Sequence, residues 1–535
     1  MNDKSRTEYS MINIITGIGG YIVNILMSFI CRMVFARSLG AEYLGINGLF
    51  TDILSMLSLT ELGIGTAMIY ALYKPIAEHD QEKIAAYMKI YGKAYKIVGT
   101  IIALLGIIIM PFLGIIIKDT PSIAESISLI YVLFLFSTAS SYFFSYRSSI
   151  IIASQRNYVV VGISYAVVIV QNILQILVLV VAHNYLIYLI IQVIAVLVSN
   201  ILISKKAGDD YPYIQKKDTI KLTKEEKIGL LKNIKAITVT KLSGILVNST
   251  DNIVITFFNG LITTGVVSNY SLLTTTLNSL VNQIFTSITA SLGNLNAVES
   301  DEQKFRVFKA LNLTNFWVYG WATIGFIVLA NDIVALFFGE NYVMDMNVSI
   351  VLAINFYMLG MQCVTGLYKS TMGLFRYGQY MLLVTALLNL IGDLILGQKF
   401  GALGIFAATA IARLFTNTWY EPYVVYKRGL KQNPLRYILR YIGFVFLLII
   451  TTMVCYGVCS FVQGSRIQVL VIKGIICICL PNIIFVIAFF KILKTSSSVK
   501  GFNSITIDLE IKALFTSKYG FSVVAPIKII VPFST

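Results

Sequence analysis

Long apolar runs separated by short charged connections make up most of the chain. Runs of about 20 residues, the length a helix needs to cross a hydrocarbon core, recur about fourteen times. Their approximate limits are 11 to 37, 43 to 72, 94 to 117, 123 to 149, 158 to 182, 185 to 204, 236 to 258, 262 to 296, 308 to 330, 346 to 372, 379 to 397, 402 to 426, 436 to 461 and 467 to 492. The first run has no small-residue cleavage pattern, so Met11 to Cys31 reads as a permanent helix.

The stretch Arg32 to Glu61 predicts two apolar helices joined by a glycine-marked turn. It also carries charge where charge is costly, at Arg32, Arg37, Glu42, Asp52 and Glu61. Gly40, Gly45 and Phe50 return in spacing as Gly260, Gly265 and Tyr270. This echo predicts two related halves in a parallel repeat, with Asn252 standing where Arg32 does and Leu272 where Asp52 does. The expected fold is an all-α polytopic membrane protein. A six-helix lobe occupies 1–204, a cytoplasmic linker 205–235, a second six-helix lobe 236–428, an additional helix pair 429–493 and a cytoplasmic tail 494–535.

Composition excludes a water-soluble globule: 57% of the 535 residues are hydrophobic and only 13% are charged, with a mean hydropathy of +0.79. A net charge of +16 would raise nucleic-acid binding in a soluble protein. Here Lys and Arg gather in the connections after every second span and in both tails, which predicts cytoplasmic termini rather than a nucleic-acid partner. In the connection after span 2, Ile84, Met88, Tyr91 and Tyr95 form one stripe. It suits either a helix lying on the membrane surface or an extension of span 3.

No phosphate-binding loop, H-E-x-x-H pair or nucleophile elbow is present. The six cysteines fall inside predicted spans; Cys455 and Cys459 share a helix face but lack a histidine partner, so neither a metal nor a cofactor is expected. Chemistry therefore rests on polar residues within spans. Arg32 and Asp52 lie at similar depth on either side of the turn, where they either pair and lock the hairpin or leave Arg32 and Arg37 to face a cavity. Span 7 places Asn248, Asp251 and Asn252 on one face, with Lys241 nearer the cytoplasm. Span 8 carries Ser271, Thr275, Asn278, Asn282, Thr286 and Thr289 in a continuous stripe, which points to a cavity wall or to interhelical hydrogen bonds. Span 10 adds Asn355, Gln362 and Lys369, and span 11 adds Asn389 and Asp393. Amide and hydroxyl groups of this kind suit sugar hydroxyls.

The segments FARSLGAEYLGINGLFTDILSMLSLTELGIGTAMIYALYKPIA, YRSSIIASQRNY and STDNIVITFFNGLITTGVVSNY resemble those of bacterial polysaccharide flippases of the Wzx type. These belong to the multidrug/oligosaccharidyl-lipid/polysaccharide exporter superfamily. The resemblance covers roughly 10 to 490. It implies two six-helix bundles in a V around a central cavity, flipping a polyprenyl-diphosphate-linked oligosaccharide across the bacterial cytoplasmic membrane by alternating access. The partners implied are the lipid-linked oligosaccharide, membrane lipids, and a polysaccharide polymerase with other assembly proteins. A diphosphate needs cations, and Arg32, Arg37, Arg147, Lys241 and Arg413 are those available; Asp52 and Glu61 complete the charged set. Two other readings stay open, a cation-coupled drug or metabolite antiporter and a membrane glycan polymerase or ligase. The short outer loops argue against the enzyme.

Overall fold

The computed structural model describes residues 6–58, 64–117, 123–215, 220, 222–374, 377–378 and 380–497. Side chains are described except at 6–18, 66, 227, 229, 231–249, 286–287, 290–291, 294, 297 and 490–497. Glu61, the side chains of Lys241 and Asn248, and the tail from 498 lie outside the described residues.

Among the described residues the protein is helical, with no strand. The first half runs through α1 (Arg6–Leu39), α2 (Ala41–Leu57), α3 (Ile64–Ala77), α4 (Gln81–Ile109), α5 (Leu113–Ile116), α6 (Ile127–Ser145), α7 (Ser148–Ala153), α8 (Asn157–Val181) and α9 (Tyr185–Asp210). The second continues through α10 (Lys224–Ser287), α11 (Thr289–Val298), α12 (Asp301–Phe337), α13 (Met346–Thr371), α14 (Met381–Phe415) and α15 (Asn417–Val424). It is followed by the pair α16 (Leu435–Ser460) and α17 (Arg466–Ser497).

Eleven helical stretches among the described residues are long and apolar enough to cross a membrane. Two of them fold back on themselves. Gly260 breaks α10 with φ 82° and ψ 172°, and the Thr256 and Thr264 hydroxyls meet at 2.8 Å across the turn. Gly401 breaks α14 with φ 59°, and Thr385 donates to Thr416 across that hairpin. Exposed apolar side chains such as Leu104, Val181, Ile449 and Ile487 cover the outward faces, where lipid rather than water is the fitting solvent.

Local sequence explains the helix starts. Asp80 caps α4 by accepting from the Lys83 amide at 2.9 Å, and Asn184 caps α9 in the same way. Thr223 and Glu226 form a reciprocal capping box at the head of α10. The stripe Ile84, Met88, Tyr91 and Tyr95 is buried along α4, which settles that connection as an extension of the membrane helix. Helix also reaches into the charged connection between the halves, through Asp210 on one side and from Lys224 on the other.

The largest core joins the two halves. It runs from Tyr91 and Tyr131 through Leu49 and Phe50 on α2 to Val267 and Tyr270 on α10, and ends at Val334 and Tyr342 beyond α12. A second core, around Phe308, Tyr368 and Tyr426, lies in the second half and reaches Tyr437 on α16. A third, around Phe316, Phe444 and Phe485, seats the final helix pair on α12. Cys455, Cys459 and Cys477 are packing residues of this third core. Among the described residues no group of three or more histidines, cysteines and carboxylates is placed to hold a metal ion.

Candidate functional site

The site is organised around the crossing of α2 with the limb of α10 that follows Gly260. Gly40, at φ 93° and ψ −178°, heads α2 in nearly the same backbone conformation as Gly260. This is a region that a side chain disfavours and glycine enters freely. One turn on, a Cβ on Gly45 would strike the carbonyl oxygen of Leu261, and a Cβ on Gly265 would strike that of Ala41. The two clashes are reciprocal under the 220-residue offset of the repeat. Both positions are glycine because the two backbones touch there.

Polar side chains extend this contact along the seam. Arg32 donates from Nε to Asn269 at 3.0 Å and from its terminal nitrogen to the Ser268 hydroxyl. Asn252, the counterpart of Arg32, donates to the Asp52 carboxylate at 2.6 Å. Arg32 and Asp52 therefore do not lock their own hairpin; each reaches across to the other half. Arg37 continues the seam by donating to the carbonyls of Leu336 and Phe337 at 2.8 and 2.9 Å, where the end of α12 leaves acceptors free. The Tyr342 hydroxyl donates back to the Ala36 carbonyl at 2.7 Å. The seam thus closes the turn-bearing end of the molecule.

Behind the seam, buried polar groups of the second half gather around Asp251. Asn389 donates to Asp393 and to the Thr409 hydroxyl, both at 3.0 Å, and all three residues are almost wholly buried. Arg413, also buried, interacts electrostatically with Asp251. Among the described residues, one oxygen each of Asp251, Asn389 and Asp393 is buried without a hydrogen-bond partner. Such oxygens are costly unless a proton or a cation meets them, and an all-oxygen donor set suits a small hard cation. Asn389 and Asp393 stand out in the sequence as polar span residues. Thr409 does not, and the i, i+4 spacing of Asn389 and Asp393 before the Gly401 turn is the available signal for the cluster.

A separate cavity of about 340 Å³ lies between α10 and α13, with Asn278, Asn282 and Gln362 in its wall. The Asn278 carbonyl oxygen accepts from Tyr319 at 2.8 Å and from Asn282 at 3.2 Å, which ties the two amides to each other and to α12. Among the described residues the buried side-chain nitrogen of Gln362 has no hydrogen-bond partner. Asn355 is used differently. It donates to the Phe406 carbonyl at 2.8 Å and joins α13 to α14. Arg147 lies away from the seam, where it donates to Ser204 on α9.

No protein-family model matches the chain, and no curated protein matches it either. Solved structures do match in fold. The lipid II flippase MurJ in an inward closed conformation superposes with a TM-score of 0.65 at 17% identity, over 90% of this chain and 99% of that one. An inward-facing multidrug-resistance MATE family transporter of the MOP superfamily gives 0.58 at 14% identity, over 73% and 91%. The MATE transporter VcmN of Vibrio cholerae gives 0.54 at 14% identity, over 80% and 99%. The chain has the all-helical polytopic fold of these proteins.

Proposed function

We propose that this protein is an alternating-access membrane transporter that flips a polyprenyl-diphosphate-linked oligosaccharide to the outer leaflet of a bacterial cytoplasmic membrane. The observation that carries this reading is the seam. Its contacts concentrate at the turn-bearing end, and Arg32 sits within it hydrogen-bonded to the neutral groups of Ser268 and Asn269. Among the described residues no carboxylate lies within ion-pair distance of Arg32. A guanidinium kept charged but uncompensated inside the membrane span is a fitting ligand for a diphosphate.

Two further features support it. Lys and Arg gather in the connections at the opposite end, which favours a cytoplasmic orientation there; in that orientation the closed seam is the outer gate and the substrate enters from the cytoplasmic side. Asn278, Asn282 and Gln362 supply donors and acceptors of the kind that sugar hydroxyls require. The fold is shared with MurJ, a lipid II flippase.

The partnerless oxygens of Asp251, Asn389 and Asp393 favour a second reading in which a cation or proton drives exchange of a drug or metabolite. The same cluster serves equally as the coupling site of a flippase, so substrate identity separates the two. Depleting the protein and assaying each leaflet for the lipid-linked oligosaccharide is the test. Accumulation on the cytoplasmic leaflet supports flipping. An unchanged distribution with altered export of small organic cations supports the antiporter.

A further inference from the structure

Arg147 belongs neither to the seam nor to the cavity between α10 and α13. It lies between α6 and α7 at the basic end of the first half, in the wall of a cavity of about 280 Å³. Its Nε donates to the Tyr146 hydroxyl at 3.2 Å, a terminal nitrogen donates to Ser204 at 3.3 Å, and its guanidinium lies 5.8 Å from the Tyr146 ring centre. These partners are neutral. Nearby, Arg156 and Lys206 are both satisfied by Asp210, at 2.8 and 2.7 Å. Among the described residues neither Arg147 nor Lys205, which lines the same cavity, has a carboxylate within ion-pair distance.

The remaining walls define what fits. A Cβ on Gly208 would strike the Gln215 amide and come within 3.8 Å of the Arg147 guanidinium, so glycine keeps both groups on one open floor. Asp209 stands exposed at the rim. Phe144 and Ile201 complete the lining, and Ile201 is 47% exposed on the outward surface of α9. Among the described lining residues, two cations and one carboxylate leave one positive charge, which matches one phosphodiester. The apolar side of the cavity opens where acyl chains would lie.

We propose that this cavity binds the headgroup of an anionic phospholipid from the cytoplasmic leaflet. Arg147 and Lys205 hold the phosphate, and Ser204 and Gln215 add neutral polar contacts. Asp209 accepts a hydrogen bond from a headgroup hydroxyl, while Phe144 and Ile201 lie along the chains. The site lies outside the proposed transport path.

The test uses the full-length protein in detergent, titrated with short-chain phosphatidylglycerol, short-chain phosphatidylcholine and inorganic phosphate, with binding read by native mass spectrometry. Phosphatidylglycerol is expected to bind more tightly than phosphatidylcholine, which has no headgroup hydroxyl and carries a compensating ammonium. Lys205→Gln and Arg147→Gln are each expected to weaken phosphatidylglycerol binding about fivefold, the effect of one basic residue near an anionic surface. Lys427→Gln, at a distant basic position, should leave it unchanged. Lys205 is exposed, so its replacement spares the fold and a null result there counts fully against the site. Equal binding of the two lipids, or unchanged binding by both variants, overturns the proposal. Inorganic phosphate binding as tightly as phosphatidylglycerol would instead identify a site for free phosphate.

Discussion

Asp52 accepts a 2.6 Å hydrogen bond from the side-chain amide of Asn252, and Asn252 is the residue that stands in the second half where Arg32 stands in the first. Arg32 makes the corresponding reach in the other direction, to Ser268 and Asn269. The repeat therefore generates two polar contacts that correspond to within about one helical turn and differ in chemistry, one cationic and one anionic. Each ties an entry helix of one half to the glycine-headed helix of the other.

The glycine contact should dominate closure of this gate. Introducing a methyl group at Gly45 or Gly265 forces it against backbone rather than a yielding side chain, and overpacking of this kind costs about 1 to 3 kcal/mol. Gly45→Ala and Gly265→Ala are expected to shift the population toward the outward-open form by roughly fivefold or more. Accessibility of cysteines introduced along the seam to a membrane-impermeant thiol reagent checks this. Unchanged labelling would count against the crossing as the gate.

A smaller effect is expected from the polar contact. Intramembrane hydrogen bonds contribute about 0.6 to 1.7 kcal/mol, so Asp52→Ala should open the seam less than either glycine change. Asn252→Ala should match it, and the double variant should be no worse than either single one, because both remove the same bond. Additive losses in the labelling assay would mean that the two side chains act separately.

Arg32 tests the anion reading. Arg32→Lys keeps the charge but loses the planar fork that reaches Ser268 and Asn269, so transport should fall partway. Arg32→Gln should abolish transport of the lipid-linked substrate while leaving the protein folded in detergent. Full activity of Arg32→Gln in a vesicle flipping assay would remove Arg32 from substrate binding.

The buried cluster should govern coupling rather than substrate choice. Asp251→Asn and Asp393→Asn each remove one carboxylate from the set with partnerless oxygens, and each is expected to abolish the dependence of flipping on an imposed sodium or proton gradient. The check is flipping with and without each gradient. A response preserved in both variants would place coupling elsewhere.

A pH effect is expected at the basic end, where Glu226 precedes the membrane-crossing stretch of α10. The Lys83 ammonium, 2.7 Å from Glu226, holds that carboxyl below its ordinary value, helped by the Thr223 backbone N–H. A depressed carboxyl stabilises the folded state fully above its unfolded value of about 4.3, and the contribution is lost as pH falls through the folded value. Glu226→Gln should therefore reduce the acid sensitivity of the α4–α10 clasp in hydrogen exchange at the head of α10. Identical acid profiles for the two proteins would contradict this.

The spans, the turns at Gly40 and Gly260 and the repeat were legible because hydropathy and glycine spacing are local properties of the chain. Partner choice was not. Depth along a hairpin places Arg32 and Asp52 level, but only the rotation of α1 and α2 against α10 decides that each bonds to the other half. Asp251 and Thr409 are brought together by two chain reversals, which no spacing rule announces. Asn278 and Asn282 on α10 meet Gln362 on α13 around one cavity, and no spacing within either helix announces that meeting. Arg147 is a further case, since a cation near a span end carries no mark of which side of the helix bundle it faces.

Flipping is read most plainly from the leaflet distribution of a polyprenyl-diphosphate-linked oligosaccharide in vesicles containing the purified protein. The protein is expected to move the glycolipid from the leaflet facing its basic end to the opposite leaflet, and Arg32→Gln is expected not to. Redistribution no faster with the protein than without it would rule out a flippase.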